Sequence, residues 1–180
     1  AAVEDPSGLF IVRRSGELPS GVAIVPVFEG SRVFVVEIQA LTVPAKGAMT
    51  RVFSDRVDAA RVSRVAAVLE KRTGLRFSDQ DIYVNVAGGV RLGESAIDLA
   101  LAAALYSART DVPSPPATVL IGELSLAGEV RPVGRLKPRV RAARGLGFGT
   151  VLAPATSPDA EAVAITDVKG MISTLYGKKG

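Results

Sequence analysis

The chain contains neither cysteine nor histidine. Without cysteine it forms no disulfide and no thiolate metal site. Without histidine it has no histidine-based catalytic triad, no histidine general base and no histidine-ligated metal. Few reaction types remain after these exclusions, and a serine–lysine dyad is one of them.

Long hydrophobic runs are also missing. No segment approaches the roughly 18 to 20 apolar residues that cross a membrane, and no secretory signal is visible. The zinc-binding CxxC pairs and the GxxxxGK[ST] phosphate loop are absent as well. A chain of 180 residues normally forms one domain with a proper core. We therefore expect one domain that holds no metal or small cofactor and does not bind a membrane.

The net charge is +4, which permits nucleic-acid binding without requiring it. The distribution of the basic residues is more informative than their total. One set shares an arc of a predicted helix: Arg61, Arg64, Lys71 and Arg72. A second set places six cations within fourteen residues: Arg131, Arg135, Lys137, Arg139, Arg141 and Arg144. Both sets fit phosphate contacts or, alternatively, solvated helix faces. No aromatic residues interleave with them, so the pattern does not indicate base stacking.

The pattern of apolar residues predicts alternating strands and helices. Val22–Phe28 and Arg32–Leu41 are β-branched runs separated by a hairpin signal. A helix is predicted over Asp55–Arg72, with Asp55 as its N-cap and Gly74 as its stop. The other predicted elements are strands at Ile82–Val86, Thr118–Ile121, Thr150–Leu152 and Val163–Ile165, and helices at Glu94–Ser107, Pro138–Arg144 and Val168–Tyr176. This order predicts a single mixed α/β (α+β) domain.

Two segments resemble the halves of the Ser–Lys dyad of Lon proteases. GELSLAGEVRPVGRLKPRV (Gly122 to Val140) is similar to the lysine half, and Lys137 stands at the position of the catalytic lysine. GGVRLGESAIDLALAAAL (Gly88 to Leu105) is similar to the serine half, but Ala96 falls at the position of the nucleophile. The resemblance therefore implies the Lon proteolytic-domain fold with vestigial dyad positions.

Ser95, next to Ala96, is an alternative nucleophile. A lysine activates a serine only when its pKa is lowered, and the arginines around Lys137 act in that direction. The pattern Ser95-x-x-Asp98 instead favours a capping box at the start of a helix. The carboxylate of Asp98 lies in an apolar helix and therefore needs a hydrogen-bond or ion-pair partner. It could complete the helix cap, accept from buried backbone N–H groups, or pair with an arginine such as Arg91.

Further blocks extend the resemblance along the chain, in FEGSRVFVVEIQALTVP (Phe28 to Pro44), RVAAVLEKRTGL (Arg64 to Leu75) and DIYVNVAGGVRL (Asp81 to Leu92). They resemble the C-terminal domain of the bacterial RadA/Sms DNA-repair family. In that family a zinc finger and a RecA-like ATPase precede a Lon-like domain. The resemblance implies a linker at residues 1–8, a Lon-like domain at 9–176 and a basic tail at 177–180. It assigns ATP, magnesium and zinc to a missing N-terminal part and no cofactor to this chain.

The family resemblance also implies a function. Its members are DNA-dependent ATPases that process branched recombination intermediates as hexameric rings in the bacterial cytoplasm, associated with the nucleoid. We expect a non-proteolytic domain that binds single-stranded or branched DNA without sequence preference and associates with copies of itself. The expected DNA contacts are Arg61, Arg64, Arg91, Lys137, Arg139, Arg141 and Arg144. The alternatives are an active Ser95–Lys137 peptidase and a purely structural oligomerisation module.

Overall fold

The structure is a computed structural model that describes residues 2–4, 8–12 and 14–177. Its strands are β1 (Ala2–Glu4), β2 (Leu9–Val12), β3 (Val22–Glu29), β4 (Arg32–Pro44), β5 (Val52–Ser54), β6 (Gln80–Val86), β7 (Thr118–Leu120), β8 (Glu123–Leu124), β9 (Val130–Arg131), β10 (Thr150–Pro154) and β11 (Val163–Ile165). Its α-helices are α1 (Ala59–Thr73), α2 (Asp98–Thr110), α3 (Leu136–Gly145) and α4 (Val168–Tyr176). Short 3₁₀ turns occupy Ala87–Gly89 and Ser95–Ile97.

The largest sheet is built on the long strand β4. The predicted hairpin is confirmed, because β3 pairs antiparallel with β4 from Val22↔Gln39 to Glu29↔Arg32. The far half of β4 pairs antiparallel with β6, and the short strand β5 joins β6 in parallel at the sheet edge. Strand β2 pairs in parallel with Val35 and Val36 of β4, on the same edge of β4 as β6 and opposite β3, and β1 pairs antiparallel with β2. Half of the predicted linker and all but the first residue of the predicted tail lie outside the described residues, although Ala2–Glu4 form β1.

Strand β3 is buried on both faces, as expected for a nearly continuous apolar run. Ala23, Val25 and Val27 belong to the main hydrophobic cluster, which also contains most of α2. Ile24, on the opposite face, belongs to a smaller cluster with Val140 of α3. The helices α2 and α3 therefore cover opposite faces of the same sheet.

Two predicted helix starts were wrong. Helix α1 begins at Ala59 instead of Asp55, because the backbone after β5 is still bound to neighbouring strands and loops. The N–H of Asp55 donates to the carbonyl of Val84 at 3.0 Å, and Val57 forms a β-bridge with Leu92. Helix α2 begins at Asp98, after the 3₁₀ turn, and is buried nearly all round as predicted. The predicted stop at Gly74 is confirmed, since its φ of 79° is the left-handed conformation that glycine adopts readily.

The C-terminal third agrees closely with the predicted pattern. The helix at Val168–Tyr176 is confirmed, and α3 extends the helix predicted at Pro138–Arg144 by about one residue or two at each end. The strands β7, β10 and β11 form a parallel sheet in the order β11-β10-β7. The predicted single mixed α/β domain is thus confirmed. None of the helices in the described ranges is long and apolar enough to span a membrane.

Candidate functional site

The segment Glu94–Asp98, which we call the dyad turn, leads into α2 and contains Ala96, the position at which the resemblance to Lon proteases implies a nucleophile. Backbone hydrogen bonds tie it to the segment that enters β8. The N–H of Gly122 donates to the carbonyl of Ala96 across 3.0 Å, and the N–H of Leu99 donates to the carbonyl of Gly122 across 3.0 Å. A Cβ on Gly122 would lie only 2.7 Å from Val130 Cγ1. Glycine is therefore needed for this close approach.

Asp98, at the end of the dyad turn, is buried with an exposed fraction of 1%. Its carboxylate accepts from Arg61 Nη1 at 2.7 Å and from the N–H of Leu124 at 3.0 Å. Burial raises the pKa of Asp98, although the hydrogen bonds from Leu124 and Arg61 oppose this shift. The predicted capping box is wrong, since α2 has no side-chain cap. Asp98 finds the expected arginine and backbone partners, but the arginine is Arg61 instead of Arg91.

Glu94, at the start of the dyad turn, binds α3 and β3. Its two carboxylate oxygens accept from Arg139 Nη2 and Nη1 at 2.7 and 3.0 Å, and the N–H of Phe28 donates to it at 2.9 Å. Burial alone would raise the pKa of Glu94, but the hydrogen bonds from Arg139 and Phe28 outweigh it and lower the pKa. The charge of Arg135, whose guanidinium lies 3.7 Å from the Phe28 ring centroid, acts in the same direction.

Arg139 is not available to a ligand, so its predicted role in DNA contact is wrong. Only 3% of the residue is exposed. Besides its bidentate pair with Glu94, it donates from Nε to the carbonyl of Gly134 at 2.9 Å. A guanidinium with these partners is an internal connection between α3 and the dyad turn.

The two dyad positions that the Lon resemblance implies, Ala96 and Lys137, are not joined by a hydrogen bond. Ala96 has no hydroxyl and is 2% exposed. Lys137 is exposed at the start of α3, and its ammonium forms no hydrogen bond or ion pair with a described residue. Arg139 is the residue of α3 that faces the dyad turn. Lys137 precedes it by two residues, which is about 200° of rotation around the helix, so its side chain points away from the dyad turn. The Ser95 hydroxyl likewise has no hydrogen-bond partner among the described residues.

Two members of each basic set, although the sets are separate in the sequence, interact with the dyad turn. The charge of Arg64 on α1 acts on Asp98, and the charge of Arg135 before α3 acts on Glu94. Among the predicted DNA contacts, Arg61 and Arg139 are held in ion pairs, and Arg144 donates to the carbonyl of Gly149 at 2.9 Å. The remaining four are exposed and have no hydrogen bond or ion pair within the described ranges. We call this set the basic rim: Arg64, Arg91, Lys137 and Arg141.

The sequence reasoning missed an exposed aromatic pair on the sheet. Phe53 of β5 and Tyr83 of β6 stack with centroids 4.8 Å apart and an interplanar angle of 18°. The signal available in the sequence was the alternation of β6, in which Tyr83 and Asn85 separate the buried residues Ile82, Val84 and Val86. The pairing itself was not visible there, because β5 is too short to have a period.

These features define a single-domain mixed α/β protein in which two buried ion pairs hold a turn between arginine-rich helices. A family model described as "Subunit ChlI of Mg-chelatase" matches residues 50–157, and the chain belongs to this family. The matched segment contains α1, the dyad turn and α3. The site therefore lies inside the region shared with the family.

Curated relatives carry the name "DNA repair protein RadA". The chain is 66% identical over 154 residues to the protein of Treponema pallidum, covering 86% of this chain and 34% of the relative. It is 41% identical over 182 residues to that of Bacillus subtilis, covering 97% and 40%. It is 45% identical over 152 residues to that of Halalkalibacterium halodurans, covering 84% and 33%. Homology to proteins of this name, implied by the sequence blocks, is confirmed, and the chain spans two fifths or less of the length of these relatives.

Proposed function

We propose that this chain is a non-proteolytic Lon-like domain of a RadA-type DNA-repair ATPase and that it supplies phosphate contacts to DNA. One observation carries the proposal. The nucleophile position that the resemblance implies is a buried alanine, while the four cations of the basic rim are exposed and form no hydrogen bond or ion pair with a described residue. The site therefore has no nucleophile at that position for peptide hydrolysis, but it has exposed cations that can bind phosphate groups.

The ion pairs inside the site support this role. Asp98 holds Arg61 of α1, and Glu94 holds Arg139 of α3, so each helix is anchored by one arginine. Arg64 and Arg141, on the same helices, form no hydrogen bond or ion pair with a described residue and can therefore donate to phosphate oxygens. Contacts of this kind position a protein on DNA without reading its sequence. The expected partner is therefore single-stranded or branched DNA of any sequence.

The rest of the proposed assembly is taken from the family resemblance, which the relatives' name supports. The chain spans two fifths or less of proteins named for DNA repair. We assign the DNA-dependent ATPase activity, with ATP, magnesium and zinc, to the part of such a protein outside this chain. The present domain would act as a scaffold in a hexameric ring, in the cytoplasm and associated with the nucleoid.

Charge reversal tests the proposed DNA contacts. The double variants Arg64→Glu/Arg91→Glu and Lys137→Glu/Arg141→Glu should bind both single-stranded and duplex oligonucleotides more weakly. Each lost phosphate contact should flatten the slope of log affinity against log salt by about 0.9 on duplex and about 0.7 on single strands. The charge-matched control Arg76→Glu/Lys169→Glu changes exposed cations outside the basic rim and should bind like the original chain. Equal affinities for all three variants would overturn the proposal.

A further inference from the structure

An apolar row crosses the outer face of the main sheet. Strand register places Leu41 of β4 opposite Tyr83 of β6, and Tyr83 opposite Phe53 of β5. The three residues are 55%, 39% and 43% exposed. Neighbouring residues of β6, such as Ile82 and Val84, face the core instead. The chain thus presents a row of large apolar side chains to solvent on its own sheet.

The aromatic part of this row is held in place by its neighbours. The rings of Phe53 and Tyr83 are nearly parallel, and the guanidinium of Arg51 lies 5.2 Å from the Phe53 centroid. Arg51 is in turn fixed by Asp81, whose Oδ2 lies 2.8 Å from Arg51 Nη2. Because the two exposed rings are already fixed in orientation, a flat ligand can stack on them without the entropy cost of ordering these side chains.

A cleft of about 510 Å³ opens beside these two rings. Its lining includes Gln39, Leu41, Phe53, Asp55, Tyr83 and Asn85. The Asn85 amide forms no hydrogen bond with any described residue, and Gln39 donates from Nε2 to Glu37, which leaves its carbonyl oxygen to accept. Amide side chains pair with the donor and acceptor edges of bases. The lining therefore combines ring faces with groups that hydrogen-bond to a nucleobase.

We propose that this cleft, which we call the aromatic cleft, binds unpaired bases of single-stranded DNA by stacking. The inference rests on the proposed function, because the phosphates of the same strand would be held by the basic rim. β5 leads into Arg56, whose carbonyl accepts from the N–H of Leu92 at 2.8 Å, next to Arg91 of the rim. The one carboxylate directly lining the cleft, Asp55, lies 3.8 Å from Arg56 Nε. Stacking on sheet aromatics beside a basic path is a general mode of single-strand recognition.

Leucine substitutions separate base stacking from ordinary apolar docking. The double variant Phe53→Leu/Tyr83→Leu keeps the face apolar but removes both rings. Its affinity for an oligo(dT) strand should fall at least about five-fold, the equivalent of losing one stacked base. Affinity for duplex and the salt slope should stay unchanged, because no phosphate contact is lost. Phe53→Tyr and Tyr83→Phe keep the rings and should bind normally, as should the control Leu126→Ala at the exposed tip of the β8–β9 hairpin.

A tryptophan probe gives an independent readout. The chain has no tryptophan, so Phe53→Trp introduces the only indole. Its fluorescence should be quenched by oligo(dT) and hardly changed by duplex. If the leucine variant binds oligo(dT) as tightly as the original chain, the inference is wrong, while loss of binding in the basic-rim variants would still support the proposed function. If the chain instead self-associates and Phe53→Ser/Tyr83→Ser makes it monomeric without changing oligo(dT) affinity, the face belongs to a second copy and the inference is also overturned.

Discussion

Arg61 and Asp98 are joined by a 2.7 Å ion pair that connects α1 to the first residue of α2. The other oxygen of the same carboxylate accepts from the N–H of Leu124 at 3.0 Å, so three elements meet at one buried group. Glu94 lies four residues before Asp98, and its ion pair with Arg139 connects the dyad turn to α3 in the same way. Removing one partner of such an ion pair lowers the stability of the fold, because the other charge is then left wholly or partly buried without a partner.

Removing Arg139 should destabilise the fold, whereas removing Arg141 should not. The variant Arg139→Met keeps a long apolar side chain but leaves Glu94 without its bidentate partner. Breaking a fully buried pair costs about 3 to 5 kcal/mol, and we expect about 2 to 3 here because the Glu94 side chain is 30% exposed. Arg141→Met changes an exposed residue and should shift the free energy of unfolding by about 0.5 kcal/mol or less. Urea unfolding of both variants measures the difference, and equal losses would contradict the assigned roles.

The two carboxylates should give opposite dependences of stability on pH. The pKa of Glu94 is lowered in the folded chain, so its contribution is present above about pH 4.3 and is lost as pH falls through the folded pKa. The pKa of Asp98 is raised by burial, so the folded state binds a proton more tightly than the unfolded one. Stability from this group therefore falls as pH rises from about 3.9 through the raised pKa.

Unfolding free energies measured between about pH 3 and pH 6 check both signs. Relative to the original chain, the cost of Glu94→Gln should grow as pH rises toward about 4.3. The relative stability of Asp98→Asn should improve as pH rises above about 3.9. Parallel pH curves for all three proteins would show that neither carboxyl has a shifted pKa.

The chain should have no peptidase activity. Ala96 supplies no nucleophile, and neither the Ser95 hydroxyl nor the Lys137 ammonium forms a hydrogen bond with a described residue. Incubation with casein or with fluorogenic peptides should give no cleavage above buffer. The serine–lysine alternative would be supported only by turnover that disappears in both Ser95→Ala and Lys137→Ala.

Ring assembly should require an ATPase region such as the one we propose for the longer relatives. We expect the present chain to be a monomer in dilute solution, because isolated ring domains often lose contacts that an ATPase helps to hold. Light scattering of this chain and of a full-length RadA-type relative with nucleotide checks this. A full-length protein that stays monomeric would contradict the scaffold role.

Local patterns in the sequence were enough to predict several elements. The β3–β4 hairpin follows from two β-branched runs around a short polar turn, and α4 follows from the apolar spacing of Val168, Met171 and Leu175. The stop at Gly74 follows from the freedom of glycine to adopt positive φ. These features depend on residues close together in the chain, so their hydrogen bonds and turn conformations are encoded locally.

The sequence by itself determined the mixed α/β domain class and the positions of the two arginine-rich segments. Only the tertiary structure decided which cations are free. Arg139 and Arg141 look alike in the sequence, but packing of α3 on the sheet turns Arg139 toward Glu94 and leaves Arg141 in solvent. Packing likewise brought Phe53 beside Tyr83, from strands far apart in the chain. Contacts of this kind depend on how distant elements bury their apolar faces together, which no local pattern specifies.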